Sequence, residues 1–427
     1  MDSDEFSTTR VPLERSIAWW KIATINVLFS VSLPTLITGM DLANQATRTT
    51  FLWSILLGSL ILTAIGILTS IVGSRARFSS YMLARIAFGA RGSMLLNLAF
   101  ALSLIGWFGV NLNLFGDSIH RLMQAQLGYH GPEWPSELAA GLLITGTTLI
   151  GLKAINRLSM LIVPVLLAVC VLLLVKSLAR DSMGAILARA PSSGMPFGDA
   201  VSAIVGGYIV GAVIMPDTCR FIERAHGAVL TAVLTYFVSS AGIMIIGGVA
   251  ALALHRTDML DLMLALGLGA AAFAIVIGGS WLLNALNLYS AALSVDAAIP
   301  RFSRSTTTLM CGALGTLAAF LNILDHFLAF LFYLSIVFVP VASIIVIDFL
   351  WLRRSDYLSG DGTARHIEPA ALVAWAVGAG VALSGSAGLV RLTGIAALDA
   401  LLATGLLYAV LRLCSRSFRP APSRVDV

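Results

Sequence analysis

The sequence predicts an all-α membrane protein of twelve transmembrane helices, built as a 5+5 inverted repeat with two C-terminal helices appended. Three observations carry that prediction. Charge is scarce, the positive residues that remain are placed unevenly, and short motifs recur at nearly one spacing. Of 427 residues 58% are apolar and 11% are charged, against about 25% charged in an ordinary soluble domain. So few charges cannot cover the surface of a water-soluble protein of this size. The same composition excludes a disordered chain, a coiled coil and a disulfide scaffold. Cys170, Cys219, Cys311 and Cys414 are scattered, with no CxxC pair or metal-ligand spacing.

A helix that crosses a bilayer needs about 20 mostly apolar residues. Runs of this kind, bounded by charges or turn residues, lie near 22–40, 51–74, 93–119, 136–152, 156–176, 197–216, 227–253, 262–292, 306–323, 325–351, 369–390 and 393–412. The fourth is short, and the eighth is long enough to hold a small re-entrant or interfacial helix ahead of its span. Lys and Arg accumulate in cytoplasmic loops. With the N-terminus inside, 20 of the 27 positive residues fall on cytoplasmic segments and seven outside. One missed or invented span would invert every later loop and blur that ratio.

The polar, acidic N-terminus is read as a cytoplasmic segment rather than a signal peptide. Trp19 and Trp20 fit an interfacial anchor ahead of span 1. Arg75, Arg77, Arg85 and Arg91 read as topology determinants that meet lipid headgroups. The resulting organisation is an N-terminal segment 1–21, a first five-helix repeat 22–180, a second, inverted repeat 195–351, two appended helices in 366–412 and a tail 413–427. Both termini are expected in the cytoplasm of a multi-pass protein of the cytoplasmic (inner) membrane.

The repeat rests on matched motifs. Trp107 to Phe115 in span 3 and Trp281 to Tyr289 in span 8 both fit W-x5-N-L-[F/Y], 174 residues apart. That offset carries Pro34 of span 1 onto the Gly206-Gly207-Tyr208 stretch of span 6. Val163-Pro164-Val165 in span 5 matches Val339-Pro340-Val341 in span 10 at an offset of 176. Five spans separate the partners, so the second copy enters the membrane from the opposite side. Such repeats belong to secondary transporters whose site lies at the midplane.

The first helix of each repeat is expected to be broken there, because unwound backbone is tolerated at that depth only where it lines a cavity. Span 1 carries Ser30, Ser32, Pro34 and Thr35 at its centre, and proline removes a backbone donor. Span 6 carries Gly206-Gly207 and then Gly211. Trp107 lies mid-span rather than at an interface, and Asn111 shares its helical face one turn on. Asn284 and Asn287 occupy the equivalent stretch of span 8. Intramembrane amides are costly and face the protein interior, where bonding between helices competes with ligand binding.

At these residues the chain resembles the nucleobase–cation symporter family, in its cytosine permease branch. The pieces that carry the resemblance are Leu83-Ala84-Arg85 with Phe88-Gly89, Gly106-Trp107-Phe108-Gly109-Val110, and Asp217-x-x-Arg220-Phe221. Trp281 with Asn284 and Leu288-Tyr289, Leu334-Ser335, Pro340, Asp348 and Arg353-Arg354 complete it. The resemblance implies a LeuT-like fold and a planar heterocycle stacked between Trp107 and Tyr208. Backbone near Ser32 and Gly207 would supply hydrogen bonds to its edge.

Departures from the family pattern bear on the substrate. A base-binding glutamine is here Leu104, a serine beyond the span-6 aromatic is Val210, and an asparagine before the span-8 Trp is Gly279. Two hydroxyl residues of sodium-coupled members are Leu282 and Leu283. These positions point to a bulkier or less polar ring than cytosine and to loss of sodium coupling, which leaves a proton or facilitated diffusion. Asp117 is the candidate proton site, and Asp217 with Arg220 the candidate inner gate.

The expected function is that of a permease importing a flat nitrogen heterocycle, with no cofactor, metal or nucleic acid. The six histidines show no HxxxH or HExxH spacing, no P-loop is present, and no catalytic set suggests an enzyme. An amino-acid or organic-amine carrier on the same fold, and a ligand sensor that does not transport, are the alternatives.

Overall fold

The computed structural model describes residues 9–150, 152–255, 258–267, 278–299, 301–359, 366–386, 389 and 392–417. The first eight residues, positions 268–277 of span 8 and the tail 418–427 lie outside the described residues. All regular structure among the described residues is helical.

Span 1 is divided into α1 (Trp19–Ser30) and α2 (Leu33–Gln45). Next come α3 (Arg48–Ala76), α4 (Ser80–Leu127), α5 (Trp134–Ile150), α6 (Leu152–Leu178) and a short α7 (Met183–Leu187). The second half opens with α8 (Phe197–Ile214) and α9 (Pro216–Cys219). Then α10 (Ala225–Ala232) runs through a π-helical stretch, Val233–Ser240, into α11 (Ala241–Leu254). A short α12 (Met259–Ala265) precedes α13 (Trp281–Ala298), followed by α14 (Arg304–Phe320) and α15 (Phe327–Ile347). The chain ends with α16 (Arg354–Ser359), α17 (Pro369–Ser386) and α18 (Ala396–Ser417).

Six of these helical stretches are long and apolar enough to cross a membrane, among them Arg48–Ala76, Phe197–Cys219 and Ile323–Leu352. Part of the difference from the twelve predicted runs has a local cause: span 1 is split into pieces of 12 and 13 residues, and α5 and α14 have 17 residues each. Span 8 includes positions 268–277, which lie outside the described residues.

The break in span 1 lies at Val31 (φ −88°, ψ 72°) and Ser32 (φ −139°, ψ 159°). Pro34 falls in the first turn of α2, where its missing N–H is one the helix would leave unpaired anyway. The Ser30 hydroxyl donates to Thr235 O (3.0 Å) and accepts from Ser240 Oγ (2.9 Å), so the π-helical stretch holds the end of α1. π-bulges of this kind gather at functional sites.

Span 6 corrects an expectation. The unwinding predicted at Gly206-Gly207 is absent, and α8 is continuous through both. A Cβ on Gly206 would run into the Leu331 carbonyl of α15. The glycine therefore lets two helices approach closely, the usual use of small residues in membranes. The interruption comes later, at Met215, ahead of Pro216.

Helix packing brings α2 onto α11, α4 onto α13, and α8 onto both α15 and α3. Near its start α4 bends at Gly89, whose φ of +80° suits glycine. Into that bend fits the segment before α17: Glu368 N–H donates to Phe88 O (2.9 Å) and Arg91 N–H to His366 O (2.8 Å). A buried charge network lies beside it. Asp348 accepts from Arg353 Nε (2.8 Å), Tyr357 OH (2.8 Å) and Tyr408 OH (2.8 Å). Arg353 also donates to Ala87 O (3.3 Å), and Arg412 pairs with Glu368 (2.8 Å). Ions withdrawn from water at this depth persist only when paired and hydrogen-bonded.

Arg77 likewise departs from its predicted headgroup role. It is 4% exposed, and its guanidinium donates to Val11 O (2.6 Å) and Pro12 O (2.8 Å). It clamps the N-terminal segment beneath the helices.

Candidate functional site

A cavity of about 1160 Å³ opens between the break in span 1 and the α4–α13 pair. Its inner end is lined by Ser32, Pro34, Thr35 and Thr38, by Leu104 and Trp107 of α4, and by Gly207, Tyr208 and Val210 of α8. From α13 come Leu283, Leu286 and Asn287. It runs to the end of the molecule where the N-terminal segment lies, between Ile17, Tyr81, Phe221 and Ala298. The charged residues on its wall, Arg15, Arg85, Asp217, Arg220 and Asp296, all belong to that mouth. The inner end offers hydroxyls, amides and aromatic faces. An ionic ligand would meet no counter-charge there, so the inner end suits a neutral one.

Two aromatic side chains are held in place at this inner end. Tyr208 OH donates to Thr35 Oγ1 (2.6 Å), and Thr35 Oγ1 shares a hydrogen bond with Ser32 Oγ (3.0 Å). The bond satisfies the phenol tip and ties α8 to α2 across the break, leaving the ring to the cavity. Trp107 packs edge-on against Phe327 (centroids 5.9 Å apart, planes at 80°) and Phe330 (5.6 Å, 73°). Such T-shaped contacts fix the plane of the indole.

The structure thus gathers Trp107, Tyr208, Gly207, Ser32, Leu104, Val210 and Leu283 around one cavity. Other predicted positions lie elsewhere. Asn111 and Asn284 are fully buried, donating to Trp107 O (2.8 Å) and to Phe108 O (3.1 Å). They brace α4 and the α4–α13 contact rather than face the cavity. Gly279 faces Leu166 of α6, and Leu282 is buried in the core. Asp117 sits toward the C-terminal end of α4, paired with Arg121 (2.9 Å), which also holds Asp258 (3.0 Å) and Asp261 (3.1 Å).

Asp217 and Arg220 both line the mouth of the cavity. The Asp217 carboxylate accepts from Ser80 N (2.7 Å) and Ser80 Oγ (2.9 Å), while Arg220 Nε donates to the Asp217 backbone carbonyl (3.1 Å). Asp217 therefore caps the start of α4, where a negative charge meets the helix dipole.

Two polar residues, Asn97 and Asp41, escaped the sequence reading. Asn97 lines the cavity, as does Asn287, which the sequence left between ligand contact and bonding between helices, and the amides of both make no hydrogen bond among the described residues. Asp41 of α2 is partly buried and likewise unpartnered. Only the spacing Pro34, Thr38, Asp41 could have flagged it, since it places all three on one helical face.

Comparison with known proteins follows the same lines. Residues 12–406 match the family described as permeases for cytosine/purines, uracil, thiamine and allantoin. The chain is 30% identical over 396 residues to a cytosine permease of Escherichia coli (strain K12), covering 91% of this chain and 90% of that one. A hydantoin permease of Microbacterium maritypicum is 24% identical over 379 residues, covering 80% and 74%. Among solved structures, Mhp1 in its inward-facing conformation gives a TM-score of 0.82 at 20% identity, over 97% of this chain and 95% of that one. Mhp1, a nucleobase-cation-symport-1 family transporter, closed with bromovinylhydantoin bound, gives 0.78 at 21% identity, over 96% of each. The fold is therefore that of Mhp1, and the chain belongs to the cytosine/purine, uracil, thiamine and allantoin permease family.

Proposed function

We propose that this protein is a secondary transporter that imports a flat, neutral nitrogen heterocycle by alternating access, without sodium. The observation that carries the reading is the cavity's division of labour. Aromatic faces and hydroxyls occupy its inner end, and every charge on its wall sits at the mouth. A heterocycle would lie against Trp107 and Tyr208, with the hydroxyls of Ser32 and Thr35 at its edge. The zwitterion of an amino acid finds no counter-charge at that depth.

Twelve spans in a 5+5+2 arrangement fit the packing. Exchanging spans 1 and 2 with 6 and 7 maps the α2–α11 contact onto α8–α3, and both contacts are present. The α4–α13 contact maps onto itself, as a pseudo-two-fold axis requires. The mouth lies at the arginine-rich end, which is cytoplasmic on the positive-inside rule. The conformation then opens inward, with the Arg121 cluster at the closed outer end. Counterflow into proteoliposomes preloaded with a bound heterocycle is the direct test. Exchange supports a transporter, and binding without exchange would make the protein a sensor.

Coupling is tested in the same vesicles. Sodium needs several oxygen ligands, and Leu282 and Leu283 offer no side-chain oxygen. Uptake is expected to change less than about twofold between sodium and choline; stimulation of several-fold would refute the reading. Asp117 is engaged by Arg121 (2.9 Å), so Asp41, which has no partner among the described residues, replaces it as the proposed proton carrier. It lies one turn beyond Thr38 on the same face of α2, past the residues that line the cavity. Of the helices packed on α2, α11 carries no charge, α12 brings Asp258 and Asp261, already held by Arg121, and α3 begins at Arg48. Asp41→Asn is expected to lose accumulation driven by an inward proton gradient while counterflow persists. Accumulation as in the parent would exclude Asp41.

A further inference from the structure

We infer that the cavity holds a second ligand station at Asn97, toward its mouth and separate from the aromatic site at its inner end. The inference rests on the proposed function. It adds a place where the same class of ligand, a small neutral heterocycle with N–H groups on its edge, is held between the aromatic site and the cytoplasm.

The cavity has room for two rings. Pockets that enclose a whole drug-sized ligand run about 300–1000 Å³, and a single flat ring is smaller than such a ligand. A cavity of about 1160 Å³ keeps most of its length open when one ring lies against Trp107.

Asn97 marks the second place. Beyond the bend at Gly89, α4 presents Ser93, Asn97, Leu104 and Trp107 to the cavity along one broad face. Asn97 lies ten residues from Trp107, about 15 Å along the helix, too far for one flat ring to touch both. It is 3% exposed, its Oδ1 has no partner and its Nδ2 donates to no other described residue. Asn111 and Asn284, by contrast, spend their N–H groups on backbone carbonyls. A buried amide left open is costly, and a ligand that completes its hydrogen bonds recovers that cost.

The facing wall suits the same ligand. Asn284 reaches Phe108 O (3.1 Å) and Trp281 packs on Phe115 (centroids 6.2 Å), so α13 and α4 run antiparallel. Counted from the Asn284 contact, Ser290 lies about 9 Å toward the mouth and Asn97 about 16 Å. Ser290 also lines the cavity, and its hydroxyl bonds to no other described residue. Asp296 comes level with Asn97, with one carboxylate oxygen taken by Thr307 Oγ1 (2.6 Å). An amide carbonyl and a carboxylate at one height favour a ring edge that offers N–H groups. Met94 and Leu293 supply apolar wall beside them. A ring that leaves Trp107 therefore meets fresh hydrogen-bonding groups before it reaches the cytoplasm.

The test reads this station apart from the aromatic site. Met94, one turn from Asn97 and 40% exposed, is replaced as Met94→Cys in full-length protein carrying Cys414→Ser, which removes the exposed native thiol. The thiol is labelled with a small methanethiosulfonate, with and without whichever of cytosine, uracil and hydantoin raises the parent's unfolding midpoint. Near saturation the ring is expected to slow labelling about fivefold or more, and to do so still after Trp107→Ala. In that background Asn97→Leu should abolish the protection, while Asn97→Gln, which keeps the amide, should retain part of it. Absence of protection, protection lost with Trp107→Ala, or protection that survives Asn97→Leu in that background would overturn the station and leave the aromatic site standing. An unfolding midpoint raised by none of the three rings would overturn the proposed function as well.

Discussion

Trp107→Ala is expected to abolish saturable uptake while the protein still expresses and purifies as a folded species. The indole forms one wall of the cavity, and its orientation is set by edge contacts with Phe327 and Phe330 rather than by a hydrogen bond. Alanine removes the face on which a flat ring would lie. Stacking of a base on an aromatic side chain is worth about 1–3 kcal/mol, so affinity should fall about 5- to 150-fold. Rate should fall further, since a ligand that no longer bridges α4 and α8 cannot favour closure around itself. Truncation of a wholly buried Trp would cost about 3–5 kcal/mol of stability. Here one face already borders the cavity, and the loss is smaller. Trp107→Phe should keep part of the uptake. Uptake kinetics in the alanine variant indistinguishable from the parent would remove Trp107 from the site.

The second large effect is on stability, at the opposite end of the functional scale. Asp348→Ala is expected to lower the folding free energy by about 3–5 kcal/mol, the usual outcome when a buried charge loses its partner. Asp348 has no exposed surface, and it holds Arg353, Tyr357 and Tyr408 at once. Removing it leaves the Arg353 guanidinium, itself 4% exposed, with the more distant Glu368 (3.5 Å) as its counter-charge. Asp348→Asn keeps one acceptor and should lose less. The measurement is the thermal unfolding midpoint of purified protein in detergent. A midpoint unchanged in Asp348→Ala would show that the network adds nothing to stability. The two variants should separate cleanly, one folded and inactive, the other poorly folded.

Much of the architecture was legible because it follows from long-range regularities of composition. Apolar runs of bilayer length and the uneven distribution of arginine need no knowledge of packing. The break in span 1 was legible too, since Pro34 and the serines around it act locally. The site was legible only in part. Helical periodicity says that Asn111 shares a face with Trp107, but not which way that face turns. The rotation of α4 against α13 decided it, sending the Asn111 and Asn284 amides to backbone carbonyls. Gly206 carried the same ambiguity, because a glycine that allows unwinding and one that admits a neighbouring helix look alike in sequence. Arg77 could not be read at all, since its partners lie more than 60 residues away. Asp217 offered a motif with Arg220, but its bonds to Ser80 at the start of α4 lie 137 residues away and were not legible.

The bend at Gly89 bears on what the smallest working unit of this chain can be. The strand of backbone at His366 to Glu368 sits in that bend as a keystone, completing hydrogen bonds for Phe88 and Arg91. A version trimmed to the ten repeat helices would strip those partners from α4, and would strip Tyr408 and Arg412 from the charge network beside it. The last two helices therefore act as scaffolding that sets the angle of the helix carrying Trp107. Anyone shortening this protein, or grafting its repeats onto another, would have to carry that wedge along or rebuild it.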